Sequence, residues 1–150
     1  MIIAGIDVGI SGAVCIKKED TINVQSLPTV GKIIDVEKLH SILKEADHIF
    51  IEKSHAMPKQ GVVSSFNFGY TYGLIEAAAR LTNAKVEIVH SKTWKNLILK
   101  GTAKDKDAAL VFAHRLYPDL IVKKSDHNKA DAILIAEYGR RILGGLNDRG

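Results

Sequence analysis

A single cysteine, Cys15, rules out an internal disulfide. It sits in the apolar run Ala13-Val14-Cys15-Ile16 and reads as a buried, inert thiol rather than a nucleophile. No apolar run approaches the ~20 residues that a membrane-spanning helix needs; stretches such as Ala132–Ala136 are far shorter. The start, Met1-Ile2-Ile3-Ala4-Gly5-Ile6-Asp7, lacks the basic segment that precedes the apolar part of a secretory signal. No linker, repeat or low-complexity segment divides the chain. No two histidines among His40, His48, His55, His90, His114 and His127 have zinc-site spacing. These absences predict one domain over residues 1–150, in a reducing, cytoplasmic compartment, without a membrane partner.

What is present is ordinary for a folded domain: 46% hydrophobic and 25% charged residues exclude wholesale disorder. The net charge of +4 is compatible with a polyanionic partner without demanding one. Its placement is uneven. Lys92, Lys95, Lys100, Lys104 and Lys106 crowd one region, and Lys123, Lys124 and Lys129 another.

The apolar, β-branched run Ile2–Val8 predicts a buried strand. A turn over residues 9–12, a strand Ala13–Ile16, a hairpin turn and a strand Thr21–Leu27 complete an antiparallel meander. Asp35 is a fitting N-cap for a helix with the stripe Val36, Leu39, Ile42 and Leu43. A strand His48–Glu52 follows, then a loop containing Pro58 and Gly61, and a helix from Ser64 or Ser65 to about Thr82. In that helix Gly69, Gly73 and Ala77 recur every four residues, which predicts a bare face for close packing against a sheet or another helix. A strand Lys85–Val89, a short helix over 92–99, a helix from Ala103 to Tyr117 and a last helix from Asp126 to Leu143, ended by Gly144-Gly145, finish the chain. A meander followed by alternating helices and strands predicts an α/β fold: a five-stranded mixed sheet with helices on both faces.

Three carboxylates stand at the rims of apolar elements. Asp7 ends the first strand, Glu52 ends the fourth, and Asp131 precedes the apolar helix segment Ala132–Ala136. Singly, each has a plain explanation: Asp7 accepting turn amides, Glu52 pairing with Lys53 or Lys95, and Asp131 favouring a helix N-terminus. Together they point to one shared site, where mutual repulsion would raise their pKa values unless a cation neutralised it. Hard oxygen donors favour Mg²⁺, with Mn²⁺ as a substitute. Two such ions, about 3.5–4 Å apart, suit phosphodiester hydrolysis.

Four segments carry a resemblance. Ile6-Asp7-Val8-Gly9-Ile10-Ser11-Gly12-Ala13, Ile51-Glu52-Lys53, the basic segment from Lys95 to Lys106, and Ala130-Asp131-Ala132-Ile133-Leu134-Ile135-Ala136 together resemble the RuvC family of Holliday-junction resolvases, from Ile2 to about Tyr138. The resemblance implies an RNase H-like fold and a homodimer that nicks four-way DNA in pairs. It also implies metal ligation by Asp7, Glu52 and Asp131, and contact of Lys106, with Lys95, to the scissile phosphate. Lys53, Lys59, Lys100 and Lys104 are expected along the DNA backbone. The family's fourth ligand, three residues before the last Asp, falls on Asn128, with His127 and Asp126 as neighbouring alternatives. The family's aromatic wedge position holds His55, and the stretch Met57–Gly69 is more similar to the phage and viral branch, which implies a bacterial or phage-infected cell. Phe66, Phe68, Tyr70 and Tyr72 are expected in core and dimer packing or in stacking on opened bases, and Trp94 as a packing anchor.

Other readings share parts of this pattern. An ATPase or sugar-kinase half-domain would explain the Asp7–Gly12 turn but requires a second phosphate-binding turn and a second domain. An RNase H-type enzyme acting on RNA–DNA hybrids, or a branched-DNA nuclease of broader specificity, shares the same metal logic. A catalytically weakened junction-binding protein would follow from the change at Asn128, but it would have little reason to keep three carboxylates facing phosphates.

Overall fold

A computed structural model describes residues 1–102, 105, 107–120 and 123–147, the side chains of residues 146 and 147 excepted. Strands β1 (Ile2–Asp7), β2 (Ala13–Lys18) and β3 (Thr21–Ser26) form the antiparallel meander. A small hairpin, β4 (Thr29–Val30) with β5 (Ile33–Ile34), leads into α1 (Val36–Leu43). Asp35 caps α1, its side chain accepting from the Lys38 amide at 3.1 Å. Strand β6 (His48–Glu52) lies parallel to β1, and after α2 (Val62–Arg80) strand β7 (Lys85–Val89) lies parallel to β6. Helices α3 (Ser91–Ile98), α4 (Ala108–Leu116) and α5 (His127–Asn147) follow. The sheet order β3-β2-β1-β6-β7 is the five-stranded mixed sheet expected from the strand pattern.

The two faces of the sheet bury separate cores. Ala4, Ile6, Val14, Ile49 and Ile51 pack under α1 and α2. Ile3, Cys15 and Phe50 face the other way, under α3, α4 and α5. Alternation along β1 therefore puts Asp7, two residues beyond Gly5 and four beyond Ile3, on the α5 side. Cys15 is fully buried, and burial pushes its thiol up to about 12, which makes it inert.

Close contact between α5 and β1 depends on Gly5. A Cβ there would lie 2.4 Å from the Ala136 amide nitrogen and 2.5 Å from the Ala132 carbonyl oxygen. Gly12 has a comparable role in the β1–β2 turn, where a Cβ would meet the Asp7 carbonyl oxygen at 2.1 Å.

Several boundaries differ from expectation. Helix α2 begins at Val62 behind Gly61, not at a serine cap; the Ser64 hydroxyl instead accepts from Gln60 Nε2 at 3.0 Å. Gly69 and Gly73 face open space, so the small-residue face of α2 packs against neither sheet nor helix. The contact anticipated there is made by α5 over Gly5. Helix α4 is described from Ala108, after Asp107, and the start expected at Ala103 lies outside the described residues. Helix α5 runs through Gly144-Gly145, neither of which takes a positive φ. Among the described residues no helix is long and apolar enough to cross a membrane.

Candidate metal centre

The parallel register pairs Ile6 with Ile51, so Asp7 and Glu52, each one residue further on, leave adjacent strands at the same level. Both belong to the sheet face that carries Phe50 and α5. Asp131, in the second turn of α5, is brought to this edge by the close approach of the helix at Gly5. The site thus draws one carboxylate from each of three distant segments.

Glu52 and Asp131 act on Asp7, and Glu52 acts on Asp131. Asp7 is pushed up to about 8, first by burial and then by Asp131 and Glu52, with Lys95 opposing. Asp131 is raised to about 6 by burial and by Glu52, while Lys95 and His127 oppose. Among the described residues neither Asp7 nor Asp131 has a hydrogen bond or ion pair to offset this crowding. Glu52 does: its Oε2 accepts from the Trp94 indole Nε1 at 2.6 Å.

The donor set, three hard oxygen carboxylates under mutual repulsion, suits Mg²⁺ or Mn²⁺. The side chains as placed are not a closed cage, for among the described residues no three of His, Cys, Asp and Glu form a group that could hold a metal ion. The donor chemistry fits a cation, then, and the set is defined by charge coupling rather than by a finished coordination shell.

A cavity of about 1010 Å³ opens beside Asp131, lined among others by Lys92, Lys95, Lys100 and His127. Lys95 holds its ammonium 5.2 Å from the centre of the Trp94 ring and acts on both aspartates. Lys53 and Lys59 are exposed in the loop after β6 and do not line this cavity. Lys104 and Lys106 lie outside the described residues.

The start of α5 divides its polar residues among different tasks. Asn128 donates its Nδ2 to the Ser11 carbonyl at 2.7 Å, tying the helix to the β1–β2 turn. Asp126 accepts from the Lys123 amide at 3.0 Å and lies 3.9 Å from Lys129. His127 lines the cavity, with Nε2 3.7 Å from Asp107. Of the aromatics, Phe66 and Tyr70 are exposed on α2, whereas Trp94 is completely buried and cannot contact a base. Its bond to Glu52 was not anticipated. The available signal was that a buried indole N–H requires an acceptor, and Glu52 ends a strand of the same core.

No protein-family model and no curated protein matches the chain. Among solved structures it is similar to Thermus thermophilus RuvC, with 16% identity, 95% of this chain and 96% of that one covered, and a TM-score of 0.63. It is also similar to T. thermophilus RuvC in complex with a Holliday junction substrate, with 17% identity, the same coverage of 95% and 96%, and a TM-score of 0.67. At this identity the likeness establishes a RuvC-like fold.

Proposed function

We propose that the chain is a single-domain, metal-dependent endonuclease that resolves four-way DNA junctions by paired nicking. The observation that carries this reading is the meeting of Asp7, Glu52 and Asp131 at one sheet edge, beside a lysine-lined cavity, in a RuvC-like fold. One of the solved structures with this fold is a complex with a Holliday junction substrate, which makes branched DNA the favoured substrate class.

Asp7, Glu52 and Asp131 would hold Mg²⁺ or Mn²⁺, with the side-chain oxygen of Asn128 as a further donor. When bound, the metal supplies an activated water and stabilises the leaving oxygen. The chain's own residues supply the setting. Burial of Asp7 leaves its charge poorly hydrated and so available to a cation. Lys95 lines the same cavity as Asp131 and acts on both aspartates, and there it would meet the phosphate. Lys106 is assigned the contact to the scissile phosphate, and Lys53, Lys59, Lys100 and Lys104 the neighbouring backbone.

A two-fold branched substrate calls for two sites related by two-fold symmetry, and hence a homodimer. Support for the α2 face as its surface comes from exposed Val62, Phe66 and Tyr70, which border a groove of about 1120 Å³ with Ile10 and Ile33, and from the open glycines of α2. A monomer in sedimentation at micromolar concentration would contradict the dimer.

The test is a nicking assay on a synthetic four-way junction with Mg²⁺, with Mn²⁺ and with chelator. Wild type is expected to cut in either metal and not in chelator, and Asp7→Asn not to cut at all. Junction binding without cleavage in both metals would leave a binding protein.

A further inference from the structure

The metal-site reading gives no task to Trp94, the only tryptophan in the chain. It is fully buried, and its indole N–H points at a carboxylate of the site rather than at a backbone carbonyl, at 2.6 Å from Oε2 of Glu52. Among the described residues no other hydrogen bond reaches that carboxylate. A glutamate at a strand end has three side-chain torsions to fix, and among the described residues this is the one hydrogen bond that fixes them. Trp94 is suited to do so. Its ring is buried in the core that includes Phe50, Val89, Ile98 and residues of α5, and an indole offers one N–H in a fixed direction. The adjacent Lys95 lies over the same ring and directs its charge at Asp7 and Asp131.

We infer that Trp94 is a positioning residue of the metal centre: its indole N–H holds Oε2 of Glu52, so that Glu52 offers Oε1 to the cation from one fixed rotamer. This rests on Asp7, Glu52 and Asp131 being the cation site. Groups that orient metal ligands without touching the metal commonly change affinity about 10–100-fold when removed, and Trp94 belongs to that class. The positions are separable in function. Among the described residues the side chains of Asp7 and Asp131 have no hydrogen-bond donor, whereas Glu52 has one.

Two measurements test this on the full chain. The first is Mn²⁺ affinity, read from the free ion by electron paramagnetic resonance, for wild type and Trp94→Phe, which keeps an aromatic ring and removes the donor. A weakening of about 10–100-fold is expected, with far-ultraviolet circular dichroism and junction binding in chelator unchanged. The second needs no change to the core. The sole tryptophan gives one indole N–H signal by nuclear magnetic resonance, which should move upfield in Glu52→Gln and shift saturably with Mg²⁺ in wild type. Equal Mn²⁺ affinity in Trp94→Phe and wild type, or an indole signal that neither Glu52→Gln nor Mg²⁺ moves, overturns the role of Trp94. If wild type meanwhile binds Mn²⁺ and cuts junctions, only that role falls. If wild type neither binds Mn²⁺ nor cuts, the metal-site reading falls and takes this inference with it.

Discussion

Gly5 of β1 and Ala136 of α5 lie so close that a single added methyl group at position 5 would stand 2.4 Å from the Ala136 amide nitrogen. The obstacle is backbone on both sides, since the Ala132 carbonyl oxygen would be 2.5 Å away, so no side chain can turn aside to relieve it. Asp131 precedes Ala132 directly. A shift of the helix at this point therefore moves a candidate metal ligand relative to Asp7.

Gly5→Ala is accordingly expected to cost about 1–3 kcal/mol of stability, the usual range for overpacking, or more. Mn²⁺ affinity should fall with it. Denaturant unfolding and Mn²⁺ titration check the two effects, and a variant as stable as wild type would show that α5 is not held where described.

Asp7→Asn is expected to stabilise the protein in chelator at neutral pH, because it removes a carboxyl whose ionisation is opposed by burial and by the neighbouring carboxylates. The gain should be on the order of 1–3 kcal/mol. Mg²⁺ should raise the melting temperature of wild type and leave that of the variant nearly unchanged. Destabilisation by Asp7→Asn in chelator would mean that the carboxylate is structurally paired.

The buried Glu137 predicts an acid-sensitive contribution elsewhere in α5. Its Oε1 lies 2.7 Å from Arg140 and 2.9 Å from Arg141, and its Oε2 accepts from Arg140 at 2.9 Å. Burial pushes its pKa up, but the bonds to Arg140 and Arg141 outweigh it and hold the group below its ordinary value. A depressed carboxylate stabilises the fold above its unfolded pKa and loses that contribution as pH falls through the folded value. Glu137→Gln should therefore cost about 1–3 kcal/mol near neutrality, and the gap from wild type should close in acid. A gap independent of pH would contradict the ionic role.

Junction binding should weaken steeply with salt. Lys95→Ala and Lys100→Ala, both at the cavity, should each reduce the slope of log affinity against log salt by about 1. Unchanged slopes would remove these lysines from the DNA contact.

The sheet was legible in the chain because buried parallel strands leave continuous β-branched runs, and the acidic residues ending β1 and β6 interrupt apolar runs visibly. The hairpin Thr29–Val30 with Ile33–Ile34 was not anticipated, since two-residue strands around Gly31 have no periodicity to detect. The spacing of Gly69 and Gly73 shows a bare helix face but not whether anything covers it, and here that face is open. The bond between Trp94 and Glu52 joins residues 42 apart in the chain, and only the assembled core, in which α3 packs on α5, brings them together. Local pattern carries elements and their rims; pairings across elements depend on the assembled core.

Substrate and metal dependence are tested most directly by offering a four-way junction, a linear duplex and an RNA–DNA hybrid side by side, with Mg²⁺ and with chelator. Paired, symmetric nicks in the junction with Mg²⁺, none in chelator, and little or no cutting of the other two are expected. Cutting of the hybrid with the junction left intact would contradict the proposed function.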